Sequence, residues 1–95
     1  MGAASLEEIS DIAILAGEIM LKNGAETSRV EQTMEHMALA SGACSVQSFV
    51  IHTGVFVTMS DYNGRSLTTM RRVRDRTINL DRIAKVNELS RQLTS

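Results

Sequence analysis

Asn23-Gly24-Ala25-Glu26-Thr27-Ser28-Arg29-Val30-Glu31 decides the fold, because one apolar helical pattern ends there and another begins. Upstream, Leu6, Ile9, Ile12, Ala13, Ala16, Ile19 and Met20 recur at helical spacing; downstream, Val30, Met34, Met37 and Ala38 do the same. Asn23-Gly24 is a strong stop, since glycine takes the left-handed conformation after a helix without a Cβ penalty. Ser28-x-x-Glu31 has the spacing of a capping box, in which a hydroxyl and a carboxylate satisfy free N–H groups at a helix start. The reading is a helix–turn–helix corner carrying Glu26, Thr27, Arg29 and Glu31 within little more than one turn. Mutual capping and pairing would account for them, and a ligand-binding corner is the alternative.

Outward from the corner, Ser5-Leu6-Glu7-Glu8 repeats the capping signal, so the first helix runs from Ser5 to the neighbourhood of Asn23. Its Asp and Glu sit mostly early, where the positive end of the helix dipole favours them. Gly17 inside it costs up to about 1 kcal/mol relative to alanine, which a close contact with another element would explain. The second helix extends from the neighbourhood of Glu26 to Ala40 and stops at Ser41-Gly42.

From Val46 the period changes. Val46–His52 and Val55–Ser60 are rich in β-branched and aromatic residues, interrupted at Thr53-Gly54. Gly54 marks a bulge, a tight bend or a close backbone approach. Asp61-Tyr62-Asn63-Gly64 reads as a hairpin turn, and Ser66–Val73 as the returning strand. Thr77 or Asn79 then caps a third helix from Leu80 to the neighbourhood of Leu93. In that helix Leu80, Ile83 and Ala84 lie on one side, while Val86, Leu89 and Leu93 drift to another. A surface helix needs one apolar stripe, so the second points to a neighbour past Ser95. The order predicts an α+β class: two N-terminal helices on one face of a small antiparallel three-stranded sheet, then a C-terminal helix.

Ninety-five residues make one domain, 1–95, with a modest core. An apolar share of 43% and a mean hydropathy of −0.04 fit a water-exposed globule. Phe49, Phe56 and Tyr62 are the only aromatics, so six Met and many Ala, Val and Ile must fill the interior. A single cysteine, Cys44, forms no intrachain disulfide and suits a reducing compartment. The longest wholly apolar run, Ile12–Ala16, is far below the roughly twenty residues of a membrane helix. No basic segment precedes an apolar one near Met1, so no signal peptide is expected, and the chain reads as cytosolic and soluble.

The net charge of −1 hides a division. Residues 1–64 hold Lys22 and Arg29 against Glu7, Glu8, Asp11, Glu18, Glu26, Glu31, Glu35 and Asp61. Residues 65–95 hold Arg65, Arg71, Arg72, Arg74, Arg76, Arg82, Lys85 and Arg91 against Asp75, Asp81 and Glu88. Such a split implies internal pairing, or a basic face used for an anion or an anionic membrane surface. On a strand, Arg72, Arg74 and Arg76 project to one side and Arg71, Val73 and Asp75 to the other. Three guanidiniums on one face repel unless acids or an anion neutralise them. Glu26, Glu31 and Glu35 are the internal candidates; a carboxylate or phosphate pocket, or a docking face for acidic headgroups or a partner, is the functional alternative.

Other chemistries find little to work with. His36, His52 and Cys44 have no metal-ligand spacing, Cys44 has no patterned base, and no glycine-rich phosphate loop is present. Nucleic-acid binding would call for interleaved aromatics or a recognisable module. No cofactor, metal or nucleic-acid partner is expected.

Four segments taken together carry a resemblance: Gly24–Glu31, Thr53-Gly54-Val55-Phe56, Arg72–Arg82, and Val86-Asn87-Glu88-Leu89-Ser90-Arg91. In order and spacing they resemble the threonine/serine exporter-like family over nearly the whole chain. The chain departs from that pattern at Ser28, where the family has Tyr, and at His52, where it has Pro. The resemblance implies the N-terminal cytosolic domain of a bacterial inner-membrane transporter that exports threonine and serine, or in some relatives small dicarboxylates such as succinate. It implies transmembrane helices after Ser95, against which the last helix would end, and a gating, sensing or assembly role without enzymatic activity. Its partners would be its own or another transmembrane domain, a second copy of the chain, or a small anionic or amino-acid ligand. The candidate binding residues are Glu26, Thr27, Arg29, Glu31 and Thr53 in one polar cluster, and Arg72, Arg74, Arg76 and Asn79 in another. The rival readings are a hydrolase using Glu26 and Thr27 beside the arginines, and a free-standing anion-binding module.

Overall fold

Ser5 and Glu8 close a complete capping box, Ser5 N–H donating to Glu8 Oε1 at 2.9 Å and Glu8 N–H to Ser5 Oγ at 3.1 Å. This starts the helix α1, Leu6–Lys22, in a computed structural model that describes residues 4–74. Gly24, at φ +85°, then turns the chain into α2, Thr27–Ala40. Three strands come next: β1, Ser45–Ile51; β2, Gly54–Ser60; and β3, Ser66–Arg72. They form one antiparallel sheet in the order β1-β2-β3, with both helices on the same face. The α+β class and its α-α-β-β-β order match the sequence reading. The third helix lies outside the described residues, together with Arg76 and Asn79.

One expectation at the corner is corrected. Glu26 is the N-cap of α2 and its side chain makes no capping bond, while Ser28 lies inside the first turn. Glu31 therefore does not close a box with Ser28. Its carboxylate reaches sideways and accepts the Val50 N–H at 2.9 Å. The Glu35 carboxylate accepts the Ser48 hydroxyl. Four residues of helix rise about 6 Å and two residues of strand about 6.6 Å, so both acids meet alternate positions of β1. α2 thus runs antiparallel along β1, and its N-terminus stands level with the β1–β2 turn.

α1 runs along the opposite edge. Glu7 pairs with Arg65 at 2.7 Å, buried Ser10 shares a hydrogen bond with Thr69, and Glu18 pairs with Arg71 at 3.0 Å. The core lies between the layers. Leu6, Ile9, Ala13, Ile14 and Leu21 of α1 meet Val30, Met34 and Ala38 of α2 over Val50, Val55, Val57, Met59 and Val73. Ile12, Leu15 and Ile19, apolar and at helical spacing, face away from this core at 51–55% exposure. Gly17 sits at the helix crossing: a Cβ there would lie 2.4 Å from Met34 Sδ.

The hairpin between β2 and β3 is tied by Asp61, whose Oδ1 accepts the N–H groups of Asn63 and Arg65, both at 2.9 Å. Only Gly64 there takes positive φ. On the sheet's outward face the cross-strand rows read Ile51–Gly54–Arg72, Phe49–Phe56–Met70, Gln47–Thr58–Thr68 and Ser45–Ser60–Ser66. The face is apolar at the Arg72 end and hydroxyl-bearing at the other.

Candidate functional site

The β1–β2 turn, His52-Thr53, and the end of β3 meet at one edge of the sheet. Thr53 C=O accepts the Val73 N–H at 2.9 Å, and Val73 is buried in the core. That contact pins the chain just past β3 and holds the flanking Arg72 and Arg74 in the open. His52, Thr53, Arg72, Val73 and Arg74 line an open groove of about 480 Å³. A second groove of about 290 Å³ continues from Thr53 and Arg72 over Ile51, Gly54, Phe56 and Met70. Gly54 keeps this second groove open without backbone strain. A Cβ there would meet Phe56 Cε1 at 3.6 Å, so the ring lies over the glycine.

Charge is matched on one side of the strand and not on the other. Arg71 points toward the helices and finds Glu18, which also holds Lys22 at 3.3 Å. Arg65 finds Glu7; its guanidinium holds the Glu7 carboxyl below its ordinary range, and Glu7 raises Arg65 in turn. Arg72 and Arg74, both exposed, have no carboxylate partner among the described residues. Among the described residues the pairing differs from that expected of Glu26, Glu31 and Glu35 with the arginine run: Glu31 and Glu35 turn to β1, and Arg71 of the run pairs with Glu18 of α1. The residue pattern hid this, because α1 rather than α2 lies beside β3.

The other candidates stand apart from this groove. Glu26 is exposed at the N-cap, Thr27 half-buried in the first turn, and Arg29 exposed with its C=O accepting the Thr33 hydroxyl at 2.9 Å. No hydrogen bond or ion pair joins these three to Thr53 among the described residues. No group of His, Cys, Asp and Glu there could hold a metal ion. The sequence reading missed the apolar neighbours of the arginines. Phe49, Ile51, Phe56 and Met70 occupy alternate strand positions on the outward face, a signal that strict alternation carries once the face of Arg72 is known.

Fold and site define a two-layer α+β domain with a cationic, apolar-floored groove at one end of its sheet. The family model described as "Putative threonine/serine exporter" (ThrE) matches residues 11–95, and the chain belongs to that family. Neither the curated proteins nor the solved structures give a match. Membership makes this a threonine/serine exporter-related protein of a transporter family. No helix among the described residues is long and apolar enough to cross a membrane.

Proposed function

We propose that this chain is the cytosolic domain of a bacterial exporter of threonine and serine, or of small dicarboxylates, and that it gates or assembles the transmembrane part. The observation that carries the reading is the family match over residues 11–95, on a chain whose described helices cannot cross a bilayer. In a transporter of this kind the conducting path belongs to other segments, and residues 4–74 act on it from the side. The geometry suits such a role: α2 is latched to β1 and α1 to β3, so the described residues form one tied unit with exposed charge at one end.

The test is efflux of threonine, serine and succinate from loaded cells, comparing the intact exporter with one lacking residues 4–74. Lost efflux at an unchanged membrane level of the protein is the expected result. Unchanged efflux would sink the proposal.

A further inference from the structure

We propose that the outward sheet face, at the end carrying Arg72 and Arg74, docks this domain on the surface of an anionic lipid bilayer. Phe49 and Met70 are 60% and 62% exposed, and with Ile51 and Phe56 they form one apolar patch across all three strands. The two phenyl rings lie 5.9 Å apart at 44°, which gives the patch a firm aromatic centre. No acidic residue occupies any outward position of the sheet; seven of the eight described acids lie on or cap the helices, and the eighth, Asp61, is in the far hairpin. Aromatic side chains beside arginines that have no carboxylate partner among the described residues suit the headgroup boundary, where rings enter the interface and guanidiniums meet phosphates.

The same charge distribution argues against a second copy on this face. A symmetric sheet-to-sheet pair would bring the arginines of both copies onto a surface where no described acid could receive them. Arg74, the last described residue, itself lines the groove at this end of the sheet. Ile12, Leu15 and Ile19 of α1 are comparably exposed, but Glu8 and Asp11 share that side of the helix. An anionic surface would repel it, which makes it an internal control.

The experiment is co-sedimentation of the 95-residue chain with vesicles of pure phosphatidylcholine, or with about one third phosphatidylglycerol, at low and high salt. Binding only to the anionic vesicles, weakening with salt, is expected. Each arginine near such a surface contributes roughly fivefold, so R72Q/R74Q should weaken binding about 25-fold. F49S/M70S should weaken it by at least about tenfold, and I12S/L15S should leave it unchanged. All three pairs are exposed, and an unchanged melting temperature confirms that each variant is folded. Binding that survives both face variants would place the contact elsewhere in the chain, outside this face, and overturn the proposal. So would absence of binding at low salt, full competition by inorganic phosphate, or a dimer in light scattering that F49S/M70S dissolves. The vesicles contain no transporter, so the outcome is separate from that of the efflux test.

Discussion

Alanine at Gly17 should lower stability, although at most helical positions it raises it. The new methyl would stand 2.4 Å from Met34 Sδ, 3.0 Å from its Cγ and 3.4 Å from Val30 Cγ1. Ordinary contact is about 3.5–4.0 Å, so Met34 must retreat by an ångström or more. Met34 is fully buried and has no open side to retreat into. Overpacking of this kind costs about 1–3 kcal/mol, and the better helix propensity of alanine returns about 1. The net loss is about 1 kcal/mol, within a range of about 0–2, or roughly 4–8 °C of melting temperature per kcal/mol in a domain this small. Met34→Ala alone should cost about 2–5 kcal/mol through the cavity it leaves. In the double variant the methyl added at position 17 enters that cavity, the clash vanishes and the propensity gain stays. The pair should therefore be more stable than the sum of the singles by about 1–3 kcal/mol. Chemical denaturation of the four proteins closes the cycle. A stabilising Gly17→Ala, or additivity within about 0.5 kcal/mol, would refute the tight crossing.

Glu31→Ala strands the buried Val50 N–H and should cost about 1–3 kcal/mol, with Glu31→Gln recovering part of it through a neutral acceptor; urea midpoints equal to wild type for both would remove the latch. Glu8 is held below its ordinary range by the Ser5 N–H and then the Ser5 hydroxyl, and Glu7 by Arg65. A carboxyl that binds its proton more weakly when folded stabilises fully at neutral pH and stops doing so as pH falls through its folded value. The difference in melting temperature between wild type and Glu8→Ala should accordingly shrink from neutral pH to acid, and a difference that grows would reverse the assignment. Ser10→Ala leaves the Thr69 hydroxyl without its partner and should destabilise more than the double change Ser10→Ala/Thr69→Val; equal losses would show that the buried bond matters little.

The elements were legible because their signals are local. Capping at Ser5, the stop at Asn23-Gly24, strand alternation after Val46 and the Asp61–Gly64 turn each act within a few residues, and each appears where expected. Tertiary partners were less legible. Glu31 sits at capping distance from Ser28, yet a strand N–H nineteen residues away takes its carboxylate. Sequence spacing ranks the near partner first, whereas the fold brings an edge donor of β1 beneath α2. The arginines show the same limit. Which acids neutralise Arg71 depends on which helix lies beside β3, and nothing local to residues 71–76 encodes that. Gly17 was read correctly as a close contact, since a helical glycine has few other uses.

The bond from Val73 N–H to Thr53 C=O has a mechanical consequence. A pull applied at Arg74 loads a strand at the edge of the described sheet, and β3 would peel from β2 one pair at a time, starting at Gly54↔Arg72. Peeling loads bonds singly, whereas shear would load them together, so the sheet alone makes a weak anchor. The Val73 side chain, set in the core ahead of the first rung, takes that load before any pair of the ladder does. It works as a strain relief at the point where the described fold hands over to the rest of the chain. Small tugs pass from that residue into the core it shares with both helices, before the ladder of β3 is loaded.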